Sequence, residues 1–316
     1  MRNEMKHIPQ SLLERAAELY DFGAALRAPV PAPLSAPEPE PPVAAKPAPV
    51  PEPVVEAPPV LRVVRPVAPP PAPARPSGAV AQIDRAALAA AGFIVADGPV
   101  SGLAEEFRLI KHQLLVDLDR SANRTILICS AQPKAGKTFC AINLALSLAG
   151  EKGVDVLLVD GDFLKPDALT QLGIESGPGF VDALADPAVD PESLVIRTDV
   201  PGLCVLPAGR KTNNVPELLA SDRTREVLAK LDAGDGRRII LFDSPPVLMA
   251  SHATVLAGHV GQVLVVVRAD QTTEADLRET IGLLSGCGRV GLVLNGAGLA
   301  VTGRKFGAYD GYGHDK

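Results

Sequence analysis

Six apolar runs punctuate the chain from Arg124 onward, at residues 125–130, 155–160, 203–207, 239–243, 262–267 and 290–294. They are rich in Val, Ile and Leu and lack the alternation of a half-solvated strand, so they predict strands buried on both faces in a mostly parallel sheet. Helical spacing fills the gaps between them: Glu217 to Lys230 and Glu274 to Ser285 both read as helices. Ahead of the first strand, Asp84 to Ala91 predicts a short helix and Ser101 to Leu118 a longer one. Leu103, Phe107, Ile110, Leu114 and Leu118 form the apolar stripe of that longer helix. Strands alternating with helices predict an α/β domain, doubly wound, with helices on both faces of the sheet.

The pattern is different at either end. Residues 8 to 27 predict an amphipathic helix whose stripe is Leu12, Leu13, Ala16, Leu19 and Tyr20. From Pro29 to Pro76 the chain is Pro, Ala, Val and Glu and holds most of the 31 prolines. That composition supports neither helix nor sheet ladders and predicts an extended, disordered tether. After Asn295 the sequence becomes glycine-rich and carries Tyr309 and Tyr312, two of only three tyrosines. The expected organisation is a helix at 1–28, a linker at 29–80, a compact domain at 81–296 and a mobile tail at 297–316.

Composition narrows the function. A net charge of −6 and a pI near 5.5 give no basic surface for nucleic acid. No apolar run approaches the ~20 residues of a membrane span, and the N-terminus lacks the apolar core of a signal peptide. The expectation is a cytoplasmic protein. Cys129, Cys140, Cys204 and Cys287 sit in or beside apolar runs without C-x-x-C spacing, so buried free thiols are expected. The five histidines have no metal-site spacing.

The chemistry concentrates at the ends of three strands. Ala131-Gln-Pro-Lys-Ala-Gly-Lys-Thr138 lies between the first strand and a helical run starting at Phe139. A strand, a small-residue loop ending Gly-Lys-Thr and a helix make a phosphate-binding P-loop, where helix N-terminal N–H groups and the helix dipole face the phosphates. Lys137 would reach the β- and γ-phosphates and the Thr138 hydroxyl would hold Mg²⁺. Ala131 replaces the first glycine of the motif. The second strand ends Val159-Asp160-Gly161-Asp162, and its alternation puts both carboxylates on one face at the ligand-binding end of the sheet. The fourth ends Phe242-Asp243-Ser-Pro-Pro246, the setting of a Walker B aspartate that holds Mg²⁺ or its waters.

Taken in order, these motifs resemble the bacterial tyrosine kinases of exopolysaccharide production. Residues 130–138 look like the family's Walker A, 157–162 like its Walker A′ and 240–246 like its Walker B. Glu105-x-x-Arg108-x-x-Lys111 is similar to the E-x-x-R-x-x-R helix that packs subunits of the family into a ring. Leu206-Pro-Ala-Gly209 with Asn214-x-Pro-Glu217-Leu-Leu219 is similar to a further family stretch. The Ser11-Leu-Leu-Glu-Arg-Ala16 start and proline-rich tether look most like the exosortase-associated (PEP-CTERM) tyrosine autokinase branch. Leu164 stands where the family has an arginine, and Lys111 keeps the charge of the ring arginine without its bidentate fork.

The resemblance implies an ATP-dependent, Mg²⁺-requiring protein-tyrosine kinase that phosphorylates its own tail in trans, at Tyr309 and Tyr312. Pro133, Lys134, Ala135, Gly136, Lys137, Thr138 and Phe139 would bind the nucleotide, with Asn295 a candidate for the base. Lys137, Asp160 and Asp162 are the expected catalytic residues, Asp160 orienting or deprotonating the tyrosine. Thr138, Asp162 and Asp243 are the expected metal set. The partners implied are a ring of like subunits, formed through Glu105, Arg108 and Lys111, and a membrane-embedded polysaccharide chain-length determinant that would hold the protein at the inner membrane. Two alternatives stay open: an ATPase switch of the ParA/MinD type, whose signature lysine is replaced here by Gln132, and a non-catalytic nucleotide-binding scaffold of polysaccharide export.

Overall fold

The computed structural model describes residues 80–297 apart from residues 100, 119, 120, 122 and 233–236. The expected N-terminal helix, the linker and Tyr309 and Tyr312 of the tail lie outside the described residues. After α1 (Arg85–Ala90) and α2 (Gly102–Leu118) the chain enters the sheet domain with β1 (Thr125–Ser130) and α3 (Lys137–Ala149). Next come β2 (Asp155–Asp160), α4 (Ala168–Gln171), α5 (Phe180–Ala185), β3 (Ile196–Arg197) and β4 (Leu203–Leu206). They are followed by α6 (Val215–Ala220), α7 (Asp222–Leu231), β5 (Arg238–Asp243) and α8 (His252–Ala257), then β6 (Gln262–Arg268), α9 (Glu274–Leu283) and β7 (Val290–Asn295).

The seven strands lie in the order β3-β4-β2-β5-β1-β6-β7. All pairs are parallel except β3 with β4. The sheet is therefore the mostly parallel, doubly wound one expected. Alternation divides its core in two. Ile126, Ile128, Val156, Leu158, Ile239 and Leu241 pack on the α2–α3 side. Leu127, Cys129, Leu157, Val159, Ile240 and Phe242 pack on the other, against α5 to α8. Strand β1 is central, with β5 and β2 to one side and β6 to the other, so the loop after it opens at a topological switch point.

Two expectations need correction. The helix read across Glu217 to Lys230 is two helices, because Ser221 is extended (φ −76°, ψ 159°) and its hydroxyl donates to the Leu218 carbonyl at 2.6 Å. The apolar period runs through this one-residue break, which hides it. Strand β7 is not buried on both faces: Leu292 and Leu294 are 54% and 61% exposed, because β7 pairs only with β6 among the described strands. The short elements β3, α4, α5 and α8 had no periodic signal of their own. Cys129, Cys140 and Cys287 are buried free thiols, and Cys204 is half-buried. Among the described residues no helix is long and apolar enough to cross a membrane.

Candidate active site

The loop after β1 turns through two left-handed residues, Lys134 (φ 63°) and Gly136 (φ 90°), before α3 begins at Lys137. A Cβ on Gly136 would lie 2.1 Å from Asn295 Nδ2, so a side chain there meets both a steric and a backbone obstacle. Ser130 Oγ donates to the Gln132 carbonyl at 2.8 Å, fixing the first bend. Ala131 is fully buried, so its methyl group takes up interior space and leaves the loop's path to the glycine and lysine beyond it.

Side chains from remote elements hold this loop. Asn295, at the end of β7, donates through Nδ2 to the Ala135 carbonyl at 2.8 Å. Its amide nitrogen is thus committed to the loop. Gln132 Nε2 donates at 3.0 Å to Asp276 Oδ2, a carboxylate that also closes the capping box of α9 with Thr273. Neither link was legible as chain spacing, since each joins residues more than a hundred positions apart. The Phe139 ring packs on Phe93 and Phe107, at centroid distances of 5.0 and 6.4 Å, so what it offers the loop is its backbone N–H.

Opposite the loop stand three carboxylates. Asp160 and Asp243 are register partners at the ends of β2 and β5, so their side chains share a face. Asp162 follows two residues on and forms an ion pair with Lys137, Nζ to Oδ2 at 2.8 Å. Its other oxygen accepts from the Lys165 backbone at 3.1 Å. Asp160 Oδ2 accepts from the Ala168 N–H at 3.1 Å, while its Oδ1 has no partner. Asp243 is wholly buried, and the Thr138 hydroxyl near it does not reach hydrogen-bond geometry with either of its oxygens.

The electrostatics follow from that placement. Burial pushes the Asp243 carboxyl up to about 7, against the pull of Lys137 and the Thr138 hydroxyl. Burial likewise raises Asp160 to about 6, opposed by its backbone hydrogen bonds. For Lys137 desolvation opposes the charge, but Asp243, Asp162 and Asp160 outweigh it and the ammonium is raised above its usual value. His252 lies near Asp162, its ring 5.9 Å from Phe163, with its Nδ1 buried and unpartnered. Burial holds its pKa below the usual value, so the ring is neutral at pH 7. A lone histidine in an Ala-rich segment gave no sequence signal for this position.

Three orphaned carboxylate oxygens beside one ammonium fit a hydrated dication with a phosphate chain. A buried carboxylate without a donor is costly, and a dication with its water would satisfy both oxygens of Asp243. The donor set, carboxylates and one hydroxyl, is of the kind Mg²⁺ takes, with water and phosphate oxygens completing its shell.

The residues expected to make subunit contacts behave differently from one another. Arg108 pairs with Glu105 on the exposed side of α2. Lys111 is only 14% exposed and reaches Glu151 of its own chain at 3.0 Å, beyond the end of α3. The three do not present one free charged stripe, because the Lys111 ammonium is engaged within the subunit.

No family model matches the chain. Over 178 residues it is 34% identical to EpsB of Ralstonia nicotianae, a tyrosine-protein kinase by name, in an alignment covering 56% of this chain and 23% of that one. The chain thus spans about a quarter of that relative's length. It is 28% identical to CapB of Staphylococcus aureus, also named a tyrosine-protein kinase, over 64% of this chain and 87% of that one. Among solved structures, the kinase domain of VpsO is 34% identical, with a TM-score of 0.54 over 61% of this chain and 93% of that domain.

Proposed function

Because the chain belongs to the family of bacterial tyrosine-protein kinases, we propose that it transfers the γ-phosphoryl group of ATP to tyrosine hydroxyls, its own Tyr309 and Tyr312 first. The observation that carries this reading is the buried trio Asp160, Asp162 and Asp243 facing Lys137 across the P-loop, with Asp243 lacking any hydrogen-bond partner. Phosphoryl transfer needs charge neutralised and reactants aligned more than it needs covalent chemistry.

The loop N–H groups from Ala135 to Phe139 cradle the phosphates, and Lys137 leaves Asp162 to reach them. Thr138, Asp162 and Asp243 would hold Mg²⁺, which when bound would neutralise charge on the phosphate chain. Asp160 accepts the tyrosine proton at its free Oδ1. A phenol with a pKa of about 10 needs such a base, and a carboxylate raised to about 6 by burial is a better one than an ordinary aspartate. Asn295 acts as a positioning residue by holding Ala135. The setting we propose is exopolysaccharide production, with the protein brought to the inner membrane by a membrane-embedded chain-length determinant.

Incubation of the full chain with Mg²⁺-ATP followed by mass spectrometry tests the activity. Phosphate is expected on Tyr309 and Tyr312 and absent from a Tyr309→Phe/Tyr312→Phe variant. Inorganic phosphate release with no phosphotyrosine would replace the kinase reading with an ATPase; binding without turnover would leave a scaffold.

Assembly has its own test. With Lys111 engaged internally, the Glu105–Arg108 pair is the part of the charged trio left to meet a neighbouring subunit. Glu105→Ala plus Arg108→Ala is expected to convert the oligomer to monomer when sized by light scattering in Mg²⁺-ATP. Lys111→Ala alone should shift the mass little. The reverse ranking would assign the contact to Lys111.

A further inference from the structure

Between α2 and the outer strand runs an apolar groove of about 470 Å³, with Leu109, Leu264, Leu292 and Leu294 among its lining residues. Leu109 is 53% exposed, and Leu292 and Leu294, two apart on one face of β7, are more so. Among the described residues β7 has no partner on its outer edge. The groove also contains an unmet polar group: Gln262 is 4% exposed, lines the cavity, and its Oε1 has no donor. An edge strand with exposed leucines and an orphaned acceptor at its base is a surface built to be covered.

We propose that the occupant is the chain's own C-terminal segment, residues 298–306, returning antiparallel along β7. The chain passes from Asn295 into Gly296, left-handed at φ +67°, so it bends where β7 ends. Gly298-Leu-Ala-Val-Thr-Gly-Arg-Lys-Phe306 supplies apolar and β-branched residues first and two cations after them. Nine extended residues reach about 30 Å, more than the roughly 20 Å of a six-residue strand. The far end of β7 lies beside Asp117 of α2, which Arg289 approaches at 3.6 Å. Arg304 and Lys305 would arrive at that end, beside the half-buried Asp117 carboxylate that Arg289 already approaches. Backbone N–H groups of the returning segment would pair with the β7 edge, and a donor entering the groove would satisfy Gln262.

The placement also affects the tail tyrosines. A segment that retraces β7 delivers Tyr309 and Tyr312 to the end of the sheet opposite its own P-loop. Phosphorylation in trans would then follow from geometry, a corollary that rests on the kinase reading; the docking itself does not.

Hydrogen exchange on the unmodified full chain, with no nucleotide, tests the docking directly. Amides of residues 299–302 and the β7 edge are expected to exchange at least about tenfold more slowly than in a free peptide of the same sequence. Trypsin should cut at Arg304 and Lys305 slowly in the wild type and at least about tenfold faster in Leu292→Asp/Leu294→Asp. A chain ending at Ala297 should lose the β7 protection without any substitution, which covers the case of a variant that folds poorly. Free exchange of residues 299–302 in the wild type would overturn the proposal. Protection that appears only as protein concentration rises, together with dimer formation, would assign the groove to a second copy and overturn it as well.

Discussion

Lys137→Met is expected to lower phosphotransfer by about a thousandfold or more, since it removes the cation that follows charge onto the transferring phosphoryl group. Its effect on stability is expected to depend on pH. Lys137 is the cation facing Asp243, Asp162 and Asp160, and its ion pair with Asp162 is mostly buried. Removing one partner of such a pair typically costs about 3–5 kcal/mol. Here part of that cost is recoverable, because Asp243 and Asp160 are raised to about 7 and about 6 and can take up protons. The raised lysine stays charged at every pH below its usual value of 10.5, so the titration seen in the variant belongs to the carboxylates. Thermal melts should therefore show a large loss at pH 8 and a much smaller one at pH 5.5. An equal loss at both would mean that Lys137 matters to the fold through packing and not through these acids. Unchanged phosphotransfer would remove the lysine from the mechanism.

Asp243→Asn is expected to do the opposite to stability while also abolishing activity. A carboxyl raised from 3.8 to about 7 destabilises the ionised folded state by about 4 kcal/mol at high pH. The sign follows from the direction of the shift. The unfolded chain gives up this proton near pH 4 and the folded one near pH 7, so stability falls through that window and stays low above it. An amide removes the charge but leaves its own polar atoms to be satisfied, at a cost of about 1–3 kcal/mol. The net gain at pH 8 is then about 2 kcal/mol, or roughly 4–8 °C in Tm for a domain of this size, and it should vanish at pH 5. Saturating Mg²⁺ and nucleotide should reverse the ranking, since the wild type alone keeps the ligand that they recruit. A variant less stable than the wild type at pH 8 without ligand would show that Asp243 is satisfied by a group within the fold.

The two variants probe features that were unequally legible in the chain. A buried strand reads as an unbroken apolar run whatever its neighbours, so β1, β2, β5 and the acids at their ends could be located from the pattern. The loop was legible for the same reason, its glycine, lysine and threonine lying next to one another. What escaped was everything that depends on strand order. Whether β7 is an edge is decided by which strands pair, and with it the exposure of Leu292 and Leu294. Asn295 on Ala135 and Gln132 on Asp276 are likewise products of the sheet's topology, and Lys111 on Glu151 follows from the packing of α2 beside α3. The break at Ser221 was lost for a local reason: a single extended residue shifts the helical phase too little to interrupt an apolar stripe.

The central position of β1 also governs how the chain must emerge from a ribosome. Its neighbour β5 arrives late: the Ser244 hydroxyl that bonds the Ile128 carbonyl lies 116 residues farther along. At about 5–20 residues per second, β1 waits roughly 6 to 23 seconds for its first sheet partner. During that interval a strand that will be wholly buried, Thr125 to Ser130, has neither of its eventual neighbours. Helix α3 follows it at once and packs on one of its faces, shielding half the strand while translation proceeds. The nascent domain is then most vulnerable to aggregation between the synthesis of β1 and that of β5, so slowing translation within that stretch should lower soluble yield more than slowing it after β6.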